Sequence, residues 1–131
     1  MFELASGQDL ILAGDFNMKP TEIPYQMLTQ KEYVGLHLSE SPTYKTAYRP
    51  DVEKVLKSAY VEKNGAEPVY TNFVDTQRSP NFYATLDYIF FAGNLMVENV
   101  LELPDHPVSK SYPDEAHPSD HLMIAATFRL F

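Results

Sequence analysis

Five polar side chains stand where this sequence could do chemistry, and they fall into three groups. Asp15 and Asn17 flank Phe16 directly after Gly14. Asp87 interrupts Thr85-Leu86-Asp87-Tyr88-Ile89-Phe90-Phe91, and Asp120 precedes His121 in His117-Pro118-Ser119-Asp120-His121. Carboxylates and an amide of this kind bind a divalent metal or a phosphate, and an imidazole donates to a phosphate oxygen. A carboxylate beside the imidazole fixes its orientation, so Asp87 is expected within hydrogen-bond reach of His121. Each group has a plainer reading: an Asx turn that stops a strand, an edge carboxylate facing solvent, or an ordinary loop-end pair. For Asp87 the plain reading is the weaker one. Alternation puts it on the same face as Ile89 and Phe91, where an unpaired carboxylate costs several kcal/mol.

The elements that must position these groups follow from the apolar pattern. Leu10-Ile11-Leu12-Ala13 reads as a strand covered on both faces and so placed near the centre of a sheet, with Asp15 and Asn17 leaving its carboxyl end. Phe16 can return to the core as an anchor. Phe2 to Ser6 fits the last turn of a helix closed by Gly7. Thr21 can cap a helix running to Thr29, with Ile23, Met27 and Leu28 on one face. The stretch 30–50 reads as a long loop. Residues 51–60 suit a short helix, with Asn64-Gly65 as a turn after it. Val69 to Phe73 reads as a strand and 75–81 as loop. Thr85 to Phe91 and Leu95 to Leu103 look like a hairpin across Ala92-Gly93-Asn94. Residues 104–118 hold four prolines and form a second long loop, and loops of such length are usually functional. Leu122 to Phe131 closes the chain as a strand, with Leu122, Ile124, Ala126, Phe128 and Leu130 on one face.

Composition narrows the chemistry. At 131 residues the chain is one domain or a piece of one, and 44% hydrophobic content is ample for a packed core. Cysteine is absent, which excludes disulfides, zinc–thiolate sites and thiol catalysis in these residues. No apolar run approaches the ~20 residues that span a bilayer, and no secretory signal is visible, so no membrane partner is expected. The net charge of −8 disfavours a general nucleic-acid groove, because phosphate contacts need Lys and Arg, and suits clustered carboxylates that hold divalent cations.

Taken in order, Gly14-Asp15-Phe16-Asn17, Leu86-Asp87-Tyr88-Ile89-Phe90 and Pro118-Ser119-Asp120-His121 resemble the second half of the endonuclease/exonuclease/phosphatase superfamily. Glu67-Pro68-Val69-Tyr70-Thr71-Asn72-Phe73 narrows the resemblance to the poly(A)-deadenylase, nocturnin and 2′-phosphodiesterase branch. The resemblance implies an α/β fold: the carboxyl-terminal half of a four-layer α/β/β/α sandwich with a mixed, mostly antiparallel sheet and a site on one rim. It implies that Asp15 and Asn17 position or activate the attacking water and bind the phosphate, that Asp87 orients His121, and that His121 contacts the scissile phosphate. Asp120, with Asp15, belongs to the metal cluster, for Mg²⁺ or Mn²⁺. Asn72 and Phe82 belong to the nucleotide pocket, Phe82 as a base-stacking ring, with a plain core aromatic as its alternative.

The resembling family's first half, which supplies a metal-binding Asn and Glu and a further His, has no counterpart before Leu10. Residues 1–131 are therefore expected to form a single partial domain. The expected function is that of a Mg²⁺-dependent 3′-exoribonuclease of deadenylase type, acting on an RNA 3′ end or an adenine nucleotide, with the fragment inactive alone. Its expected partners are the missing amino-terminal half and, through the exposed sheet, further copies of itself. The alternatives are a non-catalytic half-domain used in assembly and a nucleotide 2′-phosphatase of nocturnin type. The expected setting is intracellular, in the cytoplasm, with nucleus and mitochondrion left open.

Overall fold

Strand β5 (Asp87–Ala92) is the axis of the fold, because its sequence Tyr-Ile-Phe-Phe offers large apolar side chains to both faces. The computed structural model describes residues 5, 7–31 and 54–131. β5 is flanked by β1 (Leu10–Asp15) on one side and by the two-residue β2 (Lys57–Ser58) on the other, both antiparallel. Tyr88 and Phe90 face a cluster with Met18, Tyr25 and Leu56, which seats helix α1 (Ile23–Thr29). Ile89 and Phe91 face the opposite cluster with Ala59, Tyr60, Val97 and Val100, which seats helix α2 (Ala59–Asn64) and strand β6 (Leu95–Val100). Phe90 is fully buried and Phe91 nearly so, each contributing roughly 1.5–3 kcal/mol. Strand β7 (Ala126–Leu130) pairs with β6 in a second sheet, and β3 (Asn72–Val74) pairs with β4 (Phe82–Ala84) in a third. Tyr70, Phe73 and Tyr112 form a third cluster beside that small sheet. The architecture is α/β with antiparallel sheets, and no helix among the described residues is long and apolar enough to cross a membrane.

Several elements differ from the sequence expectation, each for a physical reason. Thr85–Phe91 and Leu95–Leu103 are not a hairpin: β5 and β6 lie in different sheets. Both edges of β5 are already occupied, by β1 and β2, so β6 has no edge to join. The turn between them is held from elsewhere, as Asn94 N donates to the Asp9 carboxylate at 2.6 Å. Gly93 has φ of 104°, and a Cβ there would lie 2.2 Å from Asp9 Oδ1, so the site requires glycine.

The helix expected over 51–60 is displaced. Lys57 and Ser58 are extended against β5, and the helix runs instead over Ala59–Asn64, closed by Gly65 at φ 81°. Pairing with the open edge of β5 outweighs the modest helical preference of those residues. Residues 51–53 lie outside the described residues, as do most of Phe2–Ser6 and residues 32–50 of the expected loop. α1 starts at Ile23 rather than at Thr21, with Glu22 as its N-cap residue and no side-chain cap; Glu22 instead accepts from Lys19 N at 3.0 Å. β1 is an edge rather than a central strand among the described residues, with Ile11 half exposed. The strand expected over Val69–Phe73 falls at Asn72–Val74. The last strand is shorter than expected, while 104–118 is irregular as read from its prolines.

Candidate active site at the ends of β1, β3 and β5

β1 and β5 run antiparallel with Asp15 opposite Asp87, so the end of one strand meets the start of the other. Pairing continues one residue further, through Phe16 N to Leu86 O at 2.9 Å. Phe16 then turns inward, edge-on to Phe90 with ring centroids 5.2 Å apart. Asn17 adopts a left-handed conformation, φ 51°, which asparagine tolerates better than most residues. Its N–H donates to Asp15 Oδ1 at 2.8 Å, so an Asx turn does end the strand. That turn leaves both side chains exposed on the rim. The Tyr88 hydroxyl, fully buried, bonds Met18 O at 2.7 Å and Thr85 O at 2.8 Å, tying this turn to the approach of β5.

The second half of the site is built on residues 71–73. Asn72 makes an isolated antiparallel bridge to His121, flanked by Phe73 N to Asp120 O at 2.9 Å and Leu122 N to Thr71 O at 2.7 Å. These two backbone hydrogen bonds, which make up the bridge, deliver Asp120 and His121 to the starts of β3 and β5. His121 Nδ1 lies 2.8 Å from Asp87 Oδ2, the contact expected from sequence. The Asn72 amide donates to Asp120 Oδ2 at 3.1 Å and lies nearly buried. Phe82, on β4, carries Lys19 Nζ 5.4 Å from its ring centroid. Burial works against a charged imidazole at His121. The hydrogen bond to Asp87 and the charges of Asp87, Asp120 and Asp15 more than offset it, and the pKa is raised. The structure therefore brings Asp15, Asp87 and Asp120 within electrostatic reach of His121, with Asn17 beside Asp15.

Sequence reading missed Thr71. It is fully buried, and its hydroxyl bonds Asp87 Oδ2 at 2.6 Å, Leu86 N at 3.0 Å and Asp87 N at 3.1 Å. A threonine in a strand carries no signal of this, because β-branched residues are common there. The loop leading to the site has its own brace: Asp114 accepts from Ser109, from His117 Nδ1 and from two backbone N–H groups. Those donors, Ser109 foremost, hold the Asp114 carboxyl well below the usual carboxylate range. His117 in turn stacks on buried Tyr112.

As metal ligands, Asp15 and Asp120 present oxygen donors, which suit a hard divalent cation. Among the described residues no group of three or more His, Cys, Asp or Glu could hold a metal, so two carboxylates would leave most coordination positions to water or phosphate.

Residues 1–121 match the profile of a family described as the endonuclease/exonuclease/phosphatase family. Among curated proteins, the chain is 36% identical over 126 residues to carbon catabolite repressor protein 4 homolog 4 of Arabidopsis thaliana, covering 92% of this chain and 27% of that protein. It is 31% identical over 135 residues to the CCR4-Not complex 3′-5′-exoribonuclease subunit Ccr4 of Phaeosphaeria nodorum, covering 96% and 21%. It is 27% identical over 124 residues to a probable subunit of the same description in Vairimorpha ceranae, covering 92% and 24%. The chain spans about a quarter of the length of these relatives.

Proposed function

Because this chain belongs to the endonuclease/exonuclease/phosphatase family, we propose that it supplies the phosphate-handling part of a metal-dependent phosphodiesterase that removes nucleotides from RNA 3′ ends, in the manner of a deadenylase. In the whole protein the sheets described above form part of a four-layer α/β/β/α sandwich. The observation that carries the reading is the 2.8 Å contact of His121 with Asp87 beside the carboxylates Asp15 and Asp120. The names of the Ccr4 relatives support the choice of RNA as substrate.

With Nδ1 engaged by Asp87, the other ring nitrogen of His121, Nε2, is the one that donates to a phosphate oxygen. A raised pKa favours the imidazolium, which suits an anionic partner. Asn17 offers an amide to the same phosphate, and Asp15 accepts a proton from an attacking water. Asp15 and Asp120 are the residues that would hold Mg²⁺, with Mn²⁺ as an alternative, and such an ion would supply charge neutralisation at the phosphate oxygens. Asn72, whose amide is spent on Asp120, serves the nucleotide pocket through that contact, and Phe82 offers its ring to a base.

The test is an RNA with an oligoadenylate 3′ tail, incubated with Mg²⁺ and this chain, alone and with the preceding part of a Ccr4 relative added in trans. Release of 5′-AMP is expected on complementation and is abolished by EDTA. Asp120→Ala and His121→Ala should each lower it by ~10²-fold or more, with the melting temperature nearly unchanged. A folded chain that releases neither 5′-AMP from RNA nor phosphate from 2′-phosphorylated nucleotides, with or without the added part, makes a non-catalytic assembly module the better account.

A further inference from the structure

We propose that the Lys19 ammonium is a substrate-binding group: it holds the phosphodiester one nucleotide upstream of the bond that is cut, so the rim selects a chain of nucleotides. This deepens the reading above and rests on it. Lys19 lies two residues beyond Asn17, and the backbone around it fixes its root. Before it, Met18 O accepts from the buried Tyr88 hydroxyl at 2.7 Å. Its own N–H donates to Glu22 Oε2 at 3.0 Å, and Pro20 after it confines it to extended conformations. From that root the exposed side chain crosses to β4 and sets Nζ 5.4 Å from the centroid of the half-buried Phe82 ring.

An ammonium carries three donors, and a ring face draws on its charge without using any of them. Glu22, the nearest carboxylate in sequence, is turned to the Lys19 N–H rather than to its ammonium. Among the described residues Nζ has neither an ion pair nor a hydrogen bond. In a chain of net charge −8, whose rim carries Asp15, Asp87 and Asp120, a cation left without a carboxylate is the exception. Strand pairing sets the ring on the substrate side. Phe82 pairs with Val74 and Ala84 with Asn72, so Phe82 shares its face of the small sheet with Asn72, whose amide bonds Asp120. Tyr83 lies on the other face, edge-on to Tyr70. A base stacked on Phe82 brings its chain of phosphates past Nζ, while His121 and Asn17 take the phosphate that is cut.

The test uses the complementation conditions above with two short substrates that differ by one upstream phosphate. ApA contains only the diester that is cut, whereas ApApA, cut at its 3′ end, adds one diester before it. Lys19→Met removes the charge and keeps a flexible stem that can lie on the Phe82 ring. Its preference for ApApA over ApA should fall about tenfold, the size of one charge-assisted contact, through KM rather than kcat. Lys19→Arg should keep the preference. The salt dependence of KM for ApApA should weaken in Lys19→Met by about one counterion. A titration that needs no variant uses ApApA and ApA in which a methylene replaces the bridging 3′ oxygen of the cut linkage, so that charge is kept and nothing is cleaved. The nitrogen-15 resonance of Lys19 Nζ should shift with the longer analogue and much less with the shorter. A folded Lys19→Met with the preference of the unaltered protein, or a Lys19 signal indifferent to the longer analogue, overturns the proposal and leaves the Phe82 contact as packing alone. A complemented protein that cuts neither substrate overturns the phosphodiesterase reading instead, and the titration then judges Lys19 by itself.

Discussion

Asp87 and Glu67 meet burial with different partners. Asp87 Oδ2 has two side-chain donors, whereas Glu67 accepts from the Tyr25 hydroxyl at 2.8 Å through Oε1, and its buried Oε2 has no hydrogen-bond partner among the described residues. Burial raises the Glu67 pKa, and the nearby Ser58 hydroxyl and the bond from Tyr25 only partly oppose the rise. The folded chain therefore holds the Glu67 proton more tightly than the unfolded chain does. Its stability is greatest below the unfolded value and falls as pH climbs through the raised folded value. Glu67→Gln keeps an oxygen for Tyr25 and has no charge to bury. Its melting temperature should exceed that of the unaltered chain by roughly a few degrees at about pH 7.5, with the gap closing towards about pH 4. Parallel pH-dependent thermal melts check this, and a gap independent of pH would show that Glu67 is not the group responsible. At this scale the sequence was partly legible. Asp87 betrayed itself by being charged in an apolar strand, and Asp120-His121 by their adjacency at a strand entry. Thr71 did not, because the groups its hydroxyl bonds, on Leu86 and Asp87, are brought to it only by the assembled strands.

Strands are harder to place than residues, because their partners lie far along the chain. The apolar alternation marked β5 and the last strand correctly as extended, yet it could not tell which edges they would find. The hairpin reading of 85–103 failed on competition: β1 and β2 claim both sides of β5 from sequence distances that no local pattern reports. The same competition draws Lys57 and Ser58 out of the helix their spacing suggested. What then holds β1 and β5 level at the site is Tyr88, whose buried hydroxyl reaches Met18 O beyond β1 and Thr85 O before β5. Tyr88→Phe should cost about 1–2 kcal/mol in urea denaturation, because the one buried hydroxyl hydrogen that Met18 O and Thr85 O share is lost. Amide exchange should quicken at residues 16–19 more than in β5 itself. Equal protection in both stretches would mean that the Asp15–Asn17 turn does not depend on this tether.

For the molecule as a whole, the imbalance lies between a strongly acidic surface and a set of bare apolar side chains. Ile11 on β1 is 50% exposed, and Met123, Leu130 and Phe131 are each more than 70% exposed. Exposed apolar area of this kind favours association, while a net charge of −8 opposes it over roughly a Debye length. Sedimentation velocity should therefore show the 14.9 kDa chain associating as concentration rises, and more readily at higher salt, where the repulsion is screened. Monomeric sedimentation throughout, insensitive to salt, would count against it.

One further property follows from how the long loop is closed. The Tyr60 hydroxyl donates to Leu101 O at 2.9 Å and accepts from Ala125 N, and Leu101 N reaches Ala125 O at 2.9 Å, so the loop's two ends are stapled to each other and to α2. Asp120 and His121 are held separately by residues 71–73. A segment anchored at its root and again beside its working residues can change length and sequence between those anchors without disturbing either. The stretch from Pro104 to Pro107, short of the Ser109–Asp114 brace, is where descendants of a common ancestor can diverge most freely, and where an engineer could graft a new recognition element while the chemistry beneath stays as it is.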